Sequence, residues 1–244
     1  MNLTKRYRDL SILSGFSDKD LVIACDSSAG IGEKELDAVQ VNSAVTAAFC
    51  LRVPLMELLC YGAEPIAVVD LIGNEHDPTG KNMLKGIREE LIKAELSHLS
   101  LNGSTEENMP TKTSSIGITV IAEVKAKECF KMQAVCSLLK LGTPYVGEKV
   151  IKNQQKIFSY PLVRSLRKEP GVLDMLPVGS KGIRYEAQLM TEGSDFYADF
   201  FSEEELDCSG GPATVILVAV SSEEESKILT QYSELKKIGE FKKR

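Results

Sequence analysis

The segment 57–70, Glu-Leu-Leu-Cys-Tyr-Gly-Ala-Glu-Pro-Ile-Ala-Val-Val-Asp, most constrains how this chain can fold. Gly62 can take the left-handed conformation that ends a helix, and Pro65 prevents the helix from resuming. Residues 66–69 are apolar on both faces, which is typical of a strand inside a sheet. The segment therefore predicts a helix, a tight corner and a buried strand that carries Asp70 to the rim of the sheet, where ligands commonly bind.

A second apolar strand, residues 21–24, is predicted to end in the same way, at Asp26. Carboxylates from separate segments repel one another unless a cation compensates, so convergence of Asp26, Glu57 and Asp70 would indicate a Mg²⁺ site. Glu106, in a polar loop, is a further candidate. The alternative is that these acids lie apart on the surface, as most acidic side chains do. The two aspartates at strand ends favour the metal site.

Two segments of small residues, 27–32 and 102–105, would let backbone amides approach phosphate oxygens, and Lys34 follows the first as a charge partner. Neither is a GxxxxGK[ST] loop, and each alone is more often a plain turn. Residues 177–183, Pro-Val-Gly-Ser-Lys-Gly-Ile, predict a strand-to-helix transition whose helix start could hold an anion or a ribose. Ordinary capping by Ser180 is an equally open interpretation.

Composition excludes several classes of protein. The 244 residues can form one large or two small domains, and 43% hydrophobic with 26% charged residues is ordinary for a folded chain. The apolar stretches are too short for a membrane span and the first residues lack a signal-peptide core, so a cytoplasmic protein is expected. A net charge of −6 argues against nucleic-acid binding. The six cysteines form no CxxC pair, so neither zinc nor disulfides are expected.

The element pattern predicts an α+β fold in two parts. In residues 1–125, Asp37 or a nearby residue is expected to cap a long apolar helix that breaks at Pro54. An amphipathic helix is expected from Thr79, a loop at 102–111 and a strand at 116–124. In residues 126–244 the predicted helices are 130–139, 150–168 and one that begins at 179–182, the predicted strands are 172–178 and 213–220, and 236–244 is a solvated helix face or a frayed tail.

These residues resemble the superfamily of aminoimidazole ribonucleotide synthetase, thiamine-monophosphate kinase, selenophosphate synthetase and a hydrogenase maturation factor. Residues 62–65 match its Gly-Ala-Glu-Pro segment, and Asp26 and Asp70 match its strand aspartates. Asn102-Gly103-Ser104-Thr105 stands where Gly-Gly-[Asp/Glu]-Thr is expected. Two positions depart from the pattern, because Glu57 replaces an aspartate and Ser104 replaces an acid.

The resemblance implies an ATP-dependent phosphotransferase that works as a homodimer on a nucleoside-like small molecule. It implies a two-domain architecture, with an ATP- and Mg²⁺-binding and dimerisation domain at 1–125 and a reduced C-terminal domain at 126–244. The roles it suggests are metal binding by Asp26, Glu57 and Asp70, catalysis by Asp26, Asp70 and Glu106, ATP binding by Asn102, Gly103, Ser104, Thr105 and Lys34, and acceptor binding by Gly179, Ser180 and Lys181.

Within the superfamily, the chain length and the segments 102–111 and 177–183 look most like α-ribazole kinase. Those enzymes phosphorylate the ribose 5'-hydroxyl of α-ribazole in salvage of the lower ligand of cobalamin. Two alternatives stay open: another synthetase-like ATP-dependent enzyme, or a catalytically silent nucleotide-binding protein, since two motif acids are altered.

Overall fold

The structure, a computed structural model, describes residues 3–16 and 18–244 and divides into two compact units. The first unit is Met1–Leu58 with Ala63–Lys127, and the second is Leu59–Gly62 with Glu128–Arg244. Each unit contains one main β-sheet, so each has its own core.

A six-stranded sheet in the order β1-β2-β3-β8-β6-β7 forms the frame of the first unit. All neighbouring strands are antiparallel except β6 and β7, which run parallel. The elements are β1 Thr4–Tyr7, β2 Leu10–Phe16, β3 Lys19–Ala29, β4 Ile31–Gly32, β5 Val39–Gln40, α1 Ser43–Tyr61, β6 Glu64–Ile72, a π-helical turn His76–Gly80, α2 Lys81–Lys93, β7 Ser100–Thr105 and β8 Ser115–Lys125.

One face of this sheet is covered by helices. In β8 the side chains of Ile116, Ile118, Val120 and Ala122 are at most 1% exposed, while the residues between them are less buried. This is the predicted alternation of the 116–124 strand, and the structure confirms it. The predicted amphipathic helix is α2, which is also confirmed.

The corner at Gly62 forms as the sequence predicts. Gly62 has φ +85°, its N–H donates to the Leu59 carbonyl at 3.0 Å, and the N–H of Ala63 donates to the Leu58 carbonyl at 2.9 Å. This pair of bonds closes a helix end when a left-handed residue follows it. Two residues therefore separate the end of α1 from the start of β6. Asp70 lies within the β6 ladder rather than at its end.

The long helix begins close to the predicted cap but does not break where predicted. Helix α1 begins at Ser43, where the side chain of Asn42, a residue near Asp37, accepts the N–H of Ala44 at 2.9 Å. Pro54 lies inside the continuous helix. Proline removes one helical hydrogen bond, but the neighbouring Leu55 is fully buried, and such packing holds the helix together through the proline.

The segment 102–105 is part of a strand, not the loop that its small polar residues predict. Residues Asn102 to Thr105 pair in register with Val69 to Ile72 of β6. Strand propensity depends strongly on context, and pairing with an interior strand outweighs the turn-forming composition of this segment.

A five-stranded antiparallel sheet in the order β10-β12-β9-β13-β11 forms the second unit. Its elements are β9 Cys136–Gly142, α3 Glu148–Lys152, a 3₁₀ turn Gln154–Lys156, α4 Tyr160–Arg167, β10 Val172–Pro177, α5 Gly182–Met190, β11 Phe196–Phe200, β12 Val215–Ser221, α6 Glu225–Gln231 and β13 Leu235–Lys243. The core between α5 and the sheet includes Leu138, Ile183, Val215, Leu217 and Phe241.

Sequence patterns predict this second unit less well. Strands β10 and β12 and the helix start near residue 182 are confirmed. The predicted helix at 130–139 is wrong, because β9 occupies Cys136–Gly142 in the centre of the sheet. The basic end is strand β13 rather than a helix face or a tail, and the helix predicted at 150–168 is divided by a 3₁₀ turn.

Among the described residues, α1 alone is long and apolar enough to span a membrane by length and composition. Of the apolar stretch that meets this criterion, 67% is buried inside the chain. A core helix of a folded protein has the same properties.

The contact between α1 and α2 predicts a stability effect. A Cβ added to Gly86 in α2 would clash with the backbone carbonyl of Ala44 in α1. We expect Gly86→Ala to destabilise the first unit by about 1–3 kcal/mol, because overpacking outweighs the gain in helix propensity. Urea denaturation of the variant and of Lys85→Ala, an exposed neighbour on α2, checks this. Equal midpoints for Gly86→Ala and wild type would contradict the packing described here.

Candidate functional site

Two aspartates lie in one row across the first sheet. Asp26 of β3 and Asp70 of β6 are both Cα partners of Ile118 in β8, one from each side, and Asp70 is in register with Gly103 of β7. Directly opposed residues project from the same face of a sheet. The two carboxylates therefore share a face, with Cα atoms about 10 Å apart, two strand spacings.

That face is the one covered by helices. Ile118 is 1% exposed, Asp70 is 2% exposed and Asp26 is partly exposed. Helix α1 reaches this row through Cys50, whose Sγ lies 3.6 Å from the backbone carbonyl oxygen of Asp26. Helix α1 therefore covers the Asp26 end of the row. Both aspartates lie where neighbouring side chains exclude part of the water.

Burial raises the pKa values of both carboxylates. Desolvation raises the pKa of Asp26, against a smaller opposing effect of a hydrogen bond from the backbone of Ser27. Desolvation likewise raises the pKa of Asp70, although its own backbone N–H and the charge of Arg88 oppose the shift. Burial, with the nearby Asp26 charge, raises the pKa of the Cys50 thiol to about 12, so that thiol is not a nucleophile. A bound cation would remove the cost of two charged carboxylates in this row.

Gly103 provides the space that the Asp70 side chain occupies. A Cβ at position 103 would clash with the carboxylate carbon of Asp70. Gly103 and Thr105 share the face of Asp70, whereas Asn102 and Ser104 are in register with Val69 and Leu71 on the opposite face. The four residues predicted to bind ATP are therefore divided between the two faces of edge strand β7.

Glu57 is not brought into the aspartate row. It is on α1, seven residues or roughly 10.5 Å along the axis beyond Cys50, the residue that approaches Asp26. Within residues 3–16 and 18–244, no three acidic, histidine or cysteine side chains form a group that could hold a metal. The three predicted metal ligands thus do not form one preformed metal-binding cluster.

Glu106 and Lys34 are engaged in local interactions. A Glu106 carboxylate oxygen accepts the N–H of Asn108 at 2.7 Å. The Lys34 ammonium donates to both carboxylate oxygens of Glu75, at 2.7 and 2.8 Å. Burial opposes ionisation of Glu75, but hydrogen bonds from Lys34 and Thr79 outweigh it and lower its pKa to about 2. A phosphate that approached Lys34 would compete with Glu75 for it.

Sequence reasoning missed the buried Asn74 and the contact of the buried Asp37 with Ser114, which hold the loops next to the aspartate row. Asn74 is fully buried, donates to the Thr113 carbonyl at 2.8 Å and accepts the N–H of Ser115 at 2.8 Å. Asp37 accepts the N–H and the hydroxyl of Ser114, each at 2.7 Å. Ser115 is three residues along β8 from Ile118, so these bonds set the backbone close to the aspartate row. Polar residues that directly follow a buried strand are the signal that could have identified Asn74.

The segment predicted to bind the acceptor lies in the second unit. Gly179 donates its N–H to the buried Glu186 carboxylate at 3.3 Å and accepts the N–H of Gly210 at 3.0 Å. Ser180 and Lys181 are exposed, and the Lys181 ammonium lies 4.2 Å from the centre of the Tyr185 ring. Ser180 does not cap α5, so the capping interpretation of this segment is wrong.

The sequence is similar to those of two curated phosphoribosylformylglycinamidine cyclo-ligases. Over 163 residues the chain is 30% identical to the phosphoribosylformylglycinamidine cyclo-ligase of Methanococcoides burtonii, that is, an aminoimidazole ribonucleotide synthetase. The match covers 65% of this chain and 46% of that protein. The chain spans less than half the length of the curated relatives it matches. No family model matches.

Solved structures share the fold over the whole chain. Thiamine-monophosphate kinase from Stenotrophomonas maltophilia K279a aligns with a TM-score of 0.67 and 12% identity, covering 100% of this chain and 90% of that chain. AaThiL complexed with AMPPCP and TMP aligns with a TM-score of 0.71 and 11% identity, covering 100% and 87%. The comparisons support the predicted resemblance to the aminoimidazole ribonucleotide synthetase superfamily, and the shared fold confirms the predicted α+β architecture.

The raised pKa values of Asp26 and Asp70 predict a stability effect. An aspartate whose folded pKa exceeds its unfolded value contributes less stability as pH rises above the unfolded pKa. We therefore expect Asp26→Asn and Asp70→Asn to melt at or above the wild-type temperature near pH 7 without added metal, with the difference narrowing toward about pH 3.5. Thermal denaturation at both pH values checks this, with the exposed Asp9→Asn as a matched control. Marked destabilisation of both variants near pH 7 would contradict the conclusion that these two carboxylates lower the stability of the folded chain at that pH.

Proposed function

We propose that this chain is an ATP-dependent phosphotransferase, and that Asp26 and Asp70 are its metal-binding and catalytic carboxylates. The observation that carries the proposal is the row of two carboxylates on one sheet face, Asp70 buried and Asp26 partly buried, both with raised pKa values and with Gly103 leaving space beside Asp70. The shared fold with thiamine-monophosphate kinase and with AaThiL complexed with AMPPCP and TMP supports it.

The donor set fits Mg²⁺. This ion prefers oxygen ligands and, in phosphate-transfer sites, takes one or two carboxylates together with substrate phosphates. When bound, Mg²⁺ would neutralise charge on the phosphates that it bridges. Two aspartates in one row therefore suffice, although Glu57 lies farther along α1.

The chain's own contribution is binding and orientation. Strand β7 is at the edge of the sheet, so part of its backbone N–H groups face away from β6 and are available to phosphate oxygens. Asn74 and Asp37 hold the adjoining loops in place through buried hydrogen bonds. Pre-positioned donors of this kind stabilise a transferring phosphoryl group without reorganisation.

For the acceptor we propose the ribose 5'-hydroxyl of α-ribazole, which would give the chain a role in salvage of the cobalamin lower ligand. The support is the resemblance of segments 102–111 and 177–183. Glu106 is kept as a candidate for orienting the hydroxyl, and Gly179 to Lys181 as acceptor contacts. A cytoplasmic location stays a prediction.

Two other functions have support from specific observations. The similarity to a cyclo-ligase favours a synthetase-like ATP-dependent enzyme. The position of Glu57 outside the row favours a silent nucleotide-binding protein. Product analysis separates the first from a kinase, and nucleotide binding without turnover would identify the second.

The test is ADP release from Mg²⁺-ATP with α-ribazole, with thiamine monophosphate and with no acceptor, followed by mass analysis of the product. We expect turnover with α-ribazole in the wild type and in Asp9→Asn, and a loss of at least about a hundredfold in Asp26→Asn and in Asp70→Asn. Retained turnover in either aspartate variant would refute the proposed role. Turnover with another acceptor would refute the α-ribazole assignment alone.

We also propose that the chain forms a homodimer through the open face of the six-stranded sheet. On this face Leu71 is 59% exposed, and Ile23, Val69 and Ile121 are only half-buried, although all are apolar and lie on interior strands. Contiguous exposed apolar surface of this kind is typical of protein interfaces.

Light scattering after gel filtration tests the dimer. We expect a dimeric mass for the wild type and a shift toward the monomer in Leu71→Lys, because a charge would be buried in the interface. Leu36→Lys changes a leucine that is equally exposed, at 58%, but lies outside the sheet strands, and should leave the mass unchanged. A monomeric wild type would rule out the dimer.

A further inference from the structure

A basic cavity in the second unit has no role in the proposed reaction. It has a volume of about 610 Å³ and lies at the end of β9. Three lysines line it, Lys140 from β9, Lys156 from the 3₁₀ turn and Lys236 from β13. Its volume is within the range of small-molecule sites.

The lysines are placed against one another. Lys140 and Lys236 are direct Cα partners across β9 and β13 and so project from the same face. Like charges directly opposite one another destabilise a sheet. Lys140, with only 13% of its side chain exposed, is paired with Glu205 at 3.0 Å. Lys140 and Lys236 thus repel each other. Among the described residues, Glu205 is the one carboxylate that forms an ion pair with either of them.

The charge of the cavity is positive in an acidic protein. Glu205 and Glu234 are the acids in its lining, so three lysines and two glutamates leave one net positive charge, whereas the whole chain carries −6. Neither Lys156 nor Lys236 forms an ion pair within the described part of the chain. Two ammonium groups therefore remain available to an anion.

Apolar residues also line the cavity. They are Phe158, 8% exposed, with Leu162 and Leu141, and we call them the Phe158 wall. Gly142 has φ +87°, and a Cβ there would lie 2.9 Å from the Phe158 ring, so glycine allows the ring to pack at this point. A ring or an aliphatic group would bury apolar area against this wall.

We propose that this cavity binds a small molecule that carries phosphate groups, with Lys140, Lys156 and Lys236 holding the phosphates and the Phe158 wall holding the rest of the ligand. Ammonium–phosphate bonds are among the stronger hydrogen bonds in proteins, and the bound anion would relieve the repulsion between Lys140 and Lys236. The proposal concerns residues of the second unit alone and does not depend on the phosphotransferase assignment.

Calorimetric titration of the full-length chain with pyrophosphate in EDTA tests it, since chelation removes metal-dependent binding of phosphates. We expect one site per chain and about a tenfold loss of affinity in Lys156→Met and in Lys236→Met, the loss of one charge-assisted hydrogen bond in each. Lys152→Met is the matched control, since Lys152 is exposed and paired with Glu148, and its affinity should be that of the wild type. Asp26→Asn should also bind normally.

Three results would overturn the proposal. They are absence of pyrophosphate binding in the wild type, wild-type affinity in Lys156→Met and in Lys236→Met, and loss of binding in Asp26→Asn. Both lysines are exposed, so folding is checked by the melting temperature of each variant without ligand. Removing the Lys236 charge should not lower that temperature, because it removes a repulsion.

Discussion

The register of three strands determines the candidate site. Because β3 and β6 both pair with β8 at Ile118, Asp26 and Asp70 lie in one row on one face. A slip of one residue in either pairing would turn one carboxylate to the opposite face of the sheet. The buried side chains of β3 and β6 oppose such a slip, since it would turn Val22 and Ala24, or Val68 and Ile72, to the opposite face. The apolar core thereby positions the polar site.

Close backbone packing is the second requirement. Gly103 leaves room for the Asp70 carboxylate, and Gly86 lets α2 approach the backbone of α1. Gly32 similarly lets Ser114 and Asp37 approach, a contact in which any Cβ would clash with the Ser114 side chain. A site with two poorly solvated carboxylates is costly in stability, and packing of this kind elsewhere in the unit offsets that cost.

The sequence predicted the parts of the fold that local chemistry controls. Gly62 and Pro65 specify the corner, and the period-two pattern of 116–124 specifies β8, so both are found where expected. Elements that depend on distant partners were mispredicted. The segment 102–105 is a strand because it pairs with β6. Residues 236–243 belong to a strand because that strand, β13, pairs with β9. Neither pairing leaves a signal in the local composition.

The candidate site could likewise be predicted only in part from the sequence. Asp26 and Asp70 follow from strand patterns, but the exact row required the register. The motif grouped Glu57 with the two aspartates, because a sequence motif does not show how far along a helix a residue lies. The Lys34–Glu75 pair and the buried Asn74 join residues up to 41 positions apart, and no local pattern indicates them.

Binding of AMPPCP with and without Mg²⁺ tests the central claim most directly, because it needs neither an acceptor nor turnover. Calorimetry on the wild type, Asp26→Asn, Asp70→Asn and the control Asp9→Asn would measure it. If the aspartate row binds a metal-bound nucleotide, Mg²⁺ strengthens AMPPCP binding in the wild type and in Asp9→Asn but not in either row variant. The same strengthening by Mg²⁺ in all four proteins would contradict the account.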